Sequence, residues 1–183
     1  KSTRIDKGPY LPQGKVAIYN TLFEANGLTP MPVWRELPEG PTATPELLQK
    51  YPLLVSDYHT SRSYNAAWLR NVPYLREVEQ YPWLQIYPDT AKKYGIADGD
   101  WVKVEGPHGW LRLRAQYWPG IRPDTVYVTH GWWQGCKELG LEDFPIADGG
   151  ANSNNMYTTD PEKMFDPAIT AMTNQTLVSV TKL

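Results

Sequence analysis

Ala91-Lys-Lys-Tyr-Gly-Ile-Ala-Asp-Gly-Asp-Trp-Val-Lys-Val-Glu-Gly-Pro-His-Gly-Trp-Leu-Arg-Leu-Arg-Ala115 is the stretch whose reading decides the fold. Ala91 to Tyr94 are helix-competent, and Gly95 suits the left-handed residue that ends a helix. Asp98-Gly99 is a turn dipeptide. Trp101, Val102 and Val104 then form a strand, Gly106 to Gly109 turn the chain, and Trp110 to Ala115 return with period-two alternation. The stretch predicts a short helix, a turn and a tight β-hairpin, with Asp89 as the helix cap.

Further strands are expected on both sides of this unit. Leu53 to Ser56, Leu84 to Tyr87, Thr125 to Thr129 and Thr176 to Thr181 are short apolar or β-branched runs bounded by turn residues. Residues 57–80 read as a long polar loop with a helical turn near 66–69 or 74–78. Residues 130–173 are rich in Gly, Asn and Asp and carry few strand signals. About six short strands, one or two small helices and non-local connections suit a closed barrel, although periodicity alone does not separate a barrel from a sandwich.

Residues 1–50 differ in character. Gly14 to Tyr19 is a strand candidate, and Asn20 to Asn26 a short helix that Gly27 would end. Leu28 to Thr44 contains Pro30, Pro32, Pro38 and Pro41 and reads as an extended connector lying along a larger surface. Pro45 suits the first position of a small helix reaching about Lys50. The expected division is therefore an arm, 1–50, and a compact β-rich domain, 51–183. The chain opens on Lys1 and not Met, which reads as a processed or excised piece.

Composition removes several function classes. With 18 basic and 20 acidic residues, a net charge of -2 and no basic cluster, nothing points to nucleic acid. No apolar run approaches the roughly 18 residues of a membrane helix, so direct membrane insertion is not expected. The lone Cys136 cannot form an internal disulfide, and no Cys-x-x-Cys is present for zinc or an iron–sulfur cluster. His59, His108 and His130 match no zinc spacing. The eight Trp and twelve Tyr supply flat surfaces that either fill a small core or stack on a heterocycle.

Four stretches hold candidate ligand-binding groups. Ser56-Asp-Tyr-His-Thr-Ser-Arg-Ser-Tyr-Asn65 is dense in short hydroxyl and amide groups, as in a turn-rich surface loop or a ligand cradle. Thr129-His-Gly-Trp-Trp133 places His130 and two large aromatics at a strand end, facing a ligand or packing against a neighbouring body. Asp148 to Thr159 has too many Gly and Asn for a helix or strand, and asparagine amides suit the edges of heterocycles. Thr173-Asn-Gln175 precedes the final strand and by itself means little.

The order of these features resembles the C-terminal domain of the molybdopterin oxidoreductases, the large molybdenum and tungsten enzymes related to dimethyl sulfoxide reductase and formate dehydrogenase. The hairpin unit carries the pattern A…GI.DGD.V.V…G.L.L.A, and residues 14–34 match a lead-in strand followed by G..P.P.W. The resemblance implies a mainly β (α+β) fold, a double-psi six-stranded β-barrel with an extended N-terminal arm. It implies a domain that binds and orients molybdopterin guanine dinucleotide carrying Mo or W. Residues on matching polar positions are then cofactor-binding candidates: Ser56, Arg62, Tyr64 and Asn65; His130, Gly131 and Trp132; Asn155 and Thr158; Asn174 and Gln175. Two departures stand out. Tyr64 replaces the usual His, and Asp57 replaces a Gly that lets backbone approach a ligand closely.

In such enzymes the metal ligand and any iron–sulfur cysteines come from earlier domains, so no complete catalytic site is expected in this chain, and Cys136 is not a candidate ligand. The implied partners are the preceding domains of one catalytic polypeptide, together with an iron–sulfur electron-transfer subunit. Two other readings stay open here: a stand-alone small subunit of a multi-chain molybdenum or tungsten enzyme, and a non-enzymatic double-psi barrel that binds peptides or partner proteins. The family includes a hydratase and a transhydroxylase, so a redox reaction is inherited from the resemblance. Neither substrate nor compartment is legible.

Overall fold

Gly95 ends its helix as expected. In the computed structural model, which describes residues 18–31, 33–34, 36–58, 68–166, 171–172 and 175–183, its φ is +68°. The amide of Gly95 donates to Lys92 O and that of Ile96 to Ala91 O, the paired bonds of a Schellman end. The helix itself is Pro88–Lys93 and its cap is Tyr87. Asp89 lies inside the first turn, because Pro88 occupies the first helical position, where its missing N–H costs nothing. Asp98 and Asp100 lock the following turn: Asp98 Oδ1 accepts from Tyr117 N (2.7 Å) and Asp100 Oδ2 from Ala97 N (2.8 Å).

The strands are β1 (Leu53–Tyr58), β2 (Trp83–Ile86), β3 (Trp101–Glu105), β4 (Trp110–Tyr117), β5 (Thr125–Thr129), the two-residue β6 (Phe165–Asp166) and β7 (Ala171–Met172), and β8 (Gln175–Lys182). The helices are α1 (Thr21–Ala25), α2 (Pro73–Arg76), α3 (Pro88–Lys93) and α4 (Pro161–Met164). Six strands close a barrel in the order β1-β5-β2-β4-β3-β8. The β1/β5 and β2/β4 pairs are parallel and the others antiparallel, which is the double-psi arrangement.

Alternation builds the barrel interior. Leu53 and Val55, Leu84 and Ile86, Val102 and Val104, Leu111, Leu113 and Ala115, Val126 and Val128, and Val178 and Val180 all point inward and are buried. Branched side chains on every strand fill a small barrel completely, leaving binding to the loops at its ends.

The chain divides into two compact units, residues 1–35 with 166–171, and residues 36–165 with 172–183. In the first, Asn20 Oδ1 caps α1 by accepting from Leu22 N and Phe23 N, and Gly27 (φ +71°) closes it. The strand expected at Gly14 to Tyr19 lies mostly outside the described residues. In the second, residues 36–50 hold only a 3-10 turn, Leu47–Gln49, in place of the expected small helix. Pro41 and Leu48 share an outer cavity with Leu54 of β1 and Leu177 of β8.

Candidate cofactor site

Parallel pairing brings the C-terminal ends of β1 and β5 to the same end of the barrel, and antiparallel pairing adds the N-terminal end of β8. Ser56 sits opposite both Tyr127 of β5 and Gln175 of β8. Two expected site residues from remote parts of the sequence thus become cross-strand neighbours. One residue further along, the Asp57 carboxylate accepts from Ser153 Oγ (3.2 Å) and lies 4.0 Å from His130 Nδ1. Asp57 therefore reaches both the β5 end and the Asn loop, a role that the usual Gly could not perform.

The Asn loop is a 3-10 turn, Ser153–Met156, capped by Asn152 Oδ1, which accepts from Asn154 N. Its attachment to the hairpin follows from small residues. A side chain at Gly109 would run into the Asn155 carbonyl and Asp148 Oδ1, so only glycine allows the approach. Asn155 Nδ2 donates to Ile146 O (2.6 Å), and Thr158 Oγ1 accepts from Asp160 N (3.2 Å). Both residues hold the loop together through these bonds.

Tyr157, in the same loop, is 2% exposed, and its hydroxyl has no hydrogen-bond partner among the described residues. Burial pushes its phenol far above the usual tyrosine range, and the negative charge of Asp57 pushes it further. At the end of β1, burial and then the Glu79 carboxylate raise Tyr58 as well, partly offset by Arg70. Both phenols are held as neutral donors. A buried hydroxyl without a partner is costly, and in native proteins such a group usually meets a ligand or water.

Trp132 departs from the sequence expectation of a flat face at the barrel mouth. It has no exposed surface, and the guanidinium groups of Arg70 and Arg76 both lie over its ring. A ring with no exposed surface offers no open face to a heterocycle. Gly131 has φ +72°, and the bend it permits sends Trp132 inward while Trp133 remains 37% exposed. His130 and Gly131 stay at the β5 end as expected. Arg62, Tyr64, Asn65 and Asn174 lie outside the described residues.

The sequence does not single out Ser153, Tyr157, Arg70 or Arg76. Ser153 and Tyr157 lie within the Asn loop, so its composition marks their region. Nothing in the sequence signals that two arginines near Pro73 would be buried. Elsewhere, Cys136 is 2% exposed, in a loop closed by its own backbone bonds to Leu141. Among the described residues no three His, Cys, Asp or Glu side chains converge as a metal site.

The barrel end thus gathers the Asp57 carboxylate, the His130 imidazole and the Ser153 and Tyr157 hydroxyls, while Ser56 and Gln175 pair one position away, on the outer face of the strands. This mixture fits a ligand with ring N–H donors, ring carbonyls and phosphate oxygens. The orphaned Tyr157 hydroxyl is the specific observation behind that fit. A closed barrel with a filled core leaves ligand binding to its end loops, and the fold does not choose the ligand.

Comparison with known proteins identifies which cofactor. Residues 53–166 match the family model described as the molydopterin dinucleotide binding domain. Acetylene hydratase of Syntrophotalea acetylenica is 30% identical over 162 residues, 85% of this chain and 22% of that protein. Dopamine dehydroxylase of Eggerthella lenta is 32% identical over 131 residues, covering 69% and 13%. The molybdopterin-containing subunit of an arsenate respiratory reductase of Chrysiogenes arsenatis is 38% identical over 109 residues, covering 56% and 13%. The solved acetylene hydratase from Pelobacter acetylenicus superposes with a TM-score of 0.77 at 26% identity, covering 97% of this chain and 24% of that one. The chain belongs to the molybdopterin-dinucleotide-binding domain family, and it spans about a quarter or less of the length of these relatives.

Proposed function

We propose that this chain holds the molybdopterin guanine dinucleotide of a larger molybdenum or tungsten enzyme and fixes its orientation against the remainder of the catalytic subunit. The family match over 53–166 carries this reading, and the grouping of His130, Asp57 and Ser153 at the barrel end where Ser56 pairs with Gln175 supports it. When bound, the cofactor supplies the metal at which substrate reacts. This chain's residues orient it and exclude water. The Asp57 carboxylate accepts from ring N–H groups, and the Tyr157, Ser56 and Thr158 hydroxyls donate to ring or phosphate oxygens. Gln175 and Asn155 can each pair with a heterocycle edge. Arg62, Tyr64, Asn65 and Asn174 are proposed to complete the cradle, on the strength of their place in the family pattern.

Residues 1–50 are proposed as the lead-in from the preceding catalytic body and 51–183 as the dinucleotide-binding domain. The partners follow: the earlier domains of the same polypeptide, together with an iron–sulfur electron-transfer subunit. The relatives include a hydratase, a reductase for arsenate and a dehydroxylase. Reaction type is therefore decided outside the shared barrel.

The test is cofactor content of the full-length protein, measured as guanosine monophosphate and oxidised pterin released on acid treatment. Gln175→Leu should lower the dinucleotide-to-protein ratio in part, because one unpaired ligand edge costs about 1–3 kcal/mol. Wild-type protein without dinucleotide, or full occupancy in Gln175→Leu and Tyr157→Phe alike, would refute the assignment.

A further inference from the structure

Arg70 and Arg76 have no exposed surface, and both lie over the Trp132 indole, with guanidinium carbons 4.0 and 4.4 Å from its ring centre. A buried cation is seldom more stabilising than an apolar side chain of similar volume, so filling space does not call for two arginines here. Their hydrogen bonds give a better reason. Arg70 Nη2 donates to His130 O (2.7 Å) and its Nε to Gly131 O (3.1 Å). Arg76 Nη1 donates to Gln134 O (2.8 Å) and Arg70 O (3.0 Å), and its Nε to Gln80 O (3.1 Å).

Three of these five acceptors lie within residues 130–134, directly after β5. Consecutive carbonyls of an extended chain point in opposite directions. One guanidinium can reach both His130 O and Gly131 O because Gly131 bends the backbone through positive φ. The guanidinium donates from two nitrogens held in one rigid plane, Nε and Nη2, whereas an ammonium group must aim all its N–H bonds from a single, freely rotating nitrogen. The clamp also extends beyond this segment. Trp132 pairs by a backbone bridge with Ala151, at the start of the Asn loop. Ser153, two residues on, donates to Asp57, which in turn lies beside His130. Clamping residues 130–134 therefore sets the mutual positions of two of the binding stretches.

We propose that Arg70 and Arg76, acting through Trp132, are positioning residues for the dinucleotide: they fix the β5 end and the Asn loop in the one arrangement that presents His130, Ser153 and Tyr157 together. This rests on the dinucleotide reading above. Because the fork, and not the charge, is what acts, Arg70→Lys should behave as a loss.

The experiment uses the intact holoenzyme as wild type, Arg70→Lys, Trp132→Phe, and Val180→Ala as a core-destabilised control in β8, away from the cofactor end. The readouts are thermal midpoint, the rate of dinucleotide loss from the protein at room temperature, and the electron paramagnetic resonance line shape of the bound metal. Arg70→Lys should lose dinucleotide about tenfold faster than Val180→Ala of equal or lower midpoint, the size usual for removing an outer-sphere support. Trp132→Phe should move the same way, and both should alter the line shape, which Val180→Ala leaves alone. If Arg70→Lys does not fold, Trp132→Phe decides. Loss rates that follow thermal midpoint alone, or retention by Arg70→Lys, would make the clamp a purely structural feature and overturn the proposal. A wild type without dinucleotide would instead defeat the underlying reading.

Discussion

Removing the Glu39 carboxylate should loosen three segments at once. Glu39 is 7% exposed; it accepts from Thr176 Oγ1 (2.9 Å) on β8 and from His108 Nε2 (2.8 Å) in the β3–β4 turn. Thr176 has no exposed surface, so in Glu39→Ala its hydroxyl loses a charged acceptor and gains no water. The His108 side chain is 33% exposed, and solvent replaces much of what it loses. Leaving the buried Thr176 hydroxyl unpaired then costs about 1–3 kcal/mol. Thr176→Val deletes only the donor and leaves His108 in place, for about 1.5–3 kcal/mol. Because the two share one bond, the double variant should cost less than the sum, by roughly 1–2 kcal/mol. Urea unfolding followed by tryptophan fluorescence reads this directly: at a slope of about 2 kcal/mol/M, Glu39→Ala should lower the midpoint by roughly 1 M. A shift below about 0.5 M, or strict additivity in the double variant, would show that the bond is not a buried contact of this kind.

Two further outcomes follow from the Asn loop. Gly109→Ala drives a methyl into the Asn155 backbone carbonyl and Asp148 Oδ1, so it should cost about 1–3 kcal/mol in thermal stability, while Gly27→Ala, with open space around its added methyl, should cost only its strained φ. Tyr157→Phe removes a buried hydroxyl that has no partner among the described residues, so the cofactor-free chain should become more stable by about 1 kcal/mol. The same variant tests pH dependence. A phenol raised in the folded state stays protonated there, while the unfolded chain ionises from about pH 10, so wild-type stability should fall as pH rises through that value. Tyr157→Phe should fall less steeply in alkaline unfolding; identical slopes would count against the burial assigned to Tyr157.

Local chemistry was legible along the chain because it acts over a few residues. The period-two alternation of Trp101 to Glu105 and Trp110 to Ala115, the glycine ends at Gly27 and Gly95, and the Asp98-Gly99 turn all appear where their sequence places them. The order of those units, with its family resemblance, also indicated the cofactor. Tertiary closure decided the rest. Ser56 meets Gln175, and Asp57 meets Ser153, only because the barrel shuts with β8 against β1 and the Asn loop folds over that end. Trp132 and Trp133 are chemically identical neighbours, and only the bend at Gly131 and the two guanidinium groups waiting on one side send one of them inward. Burial of Arg70 and Arg76 has no local signature at all. An arginine leaves water only where several carbonyls are already aimed at it, and those carbonyls converge only in the closed fold.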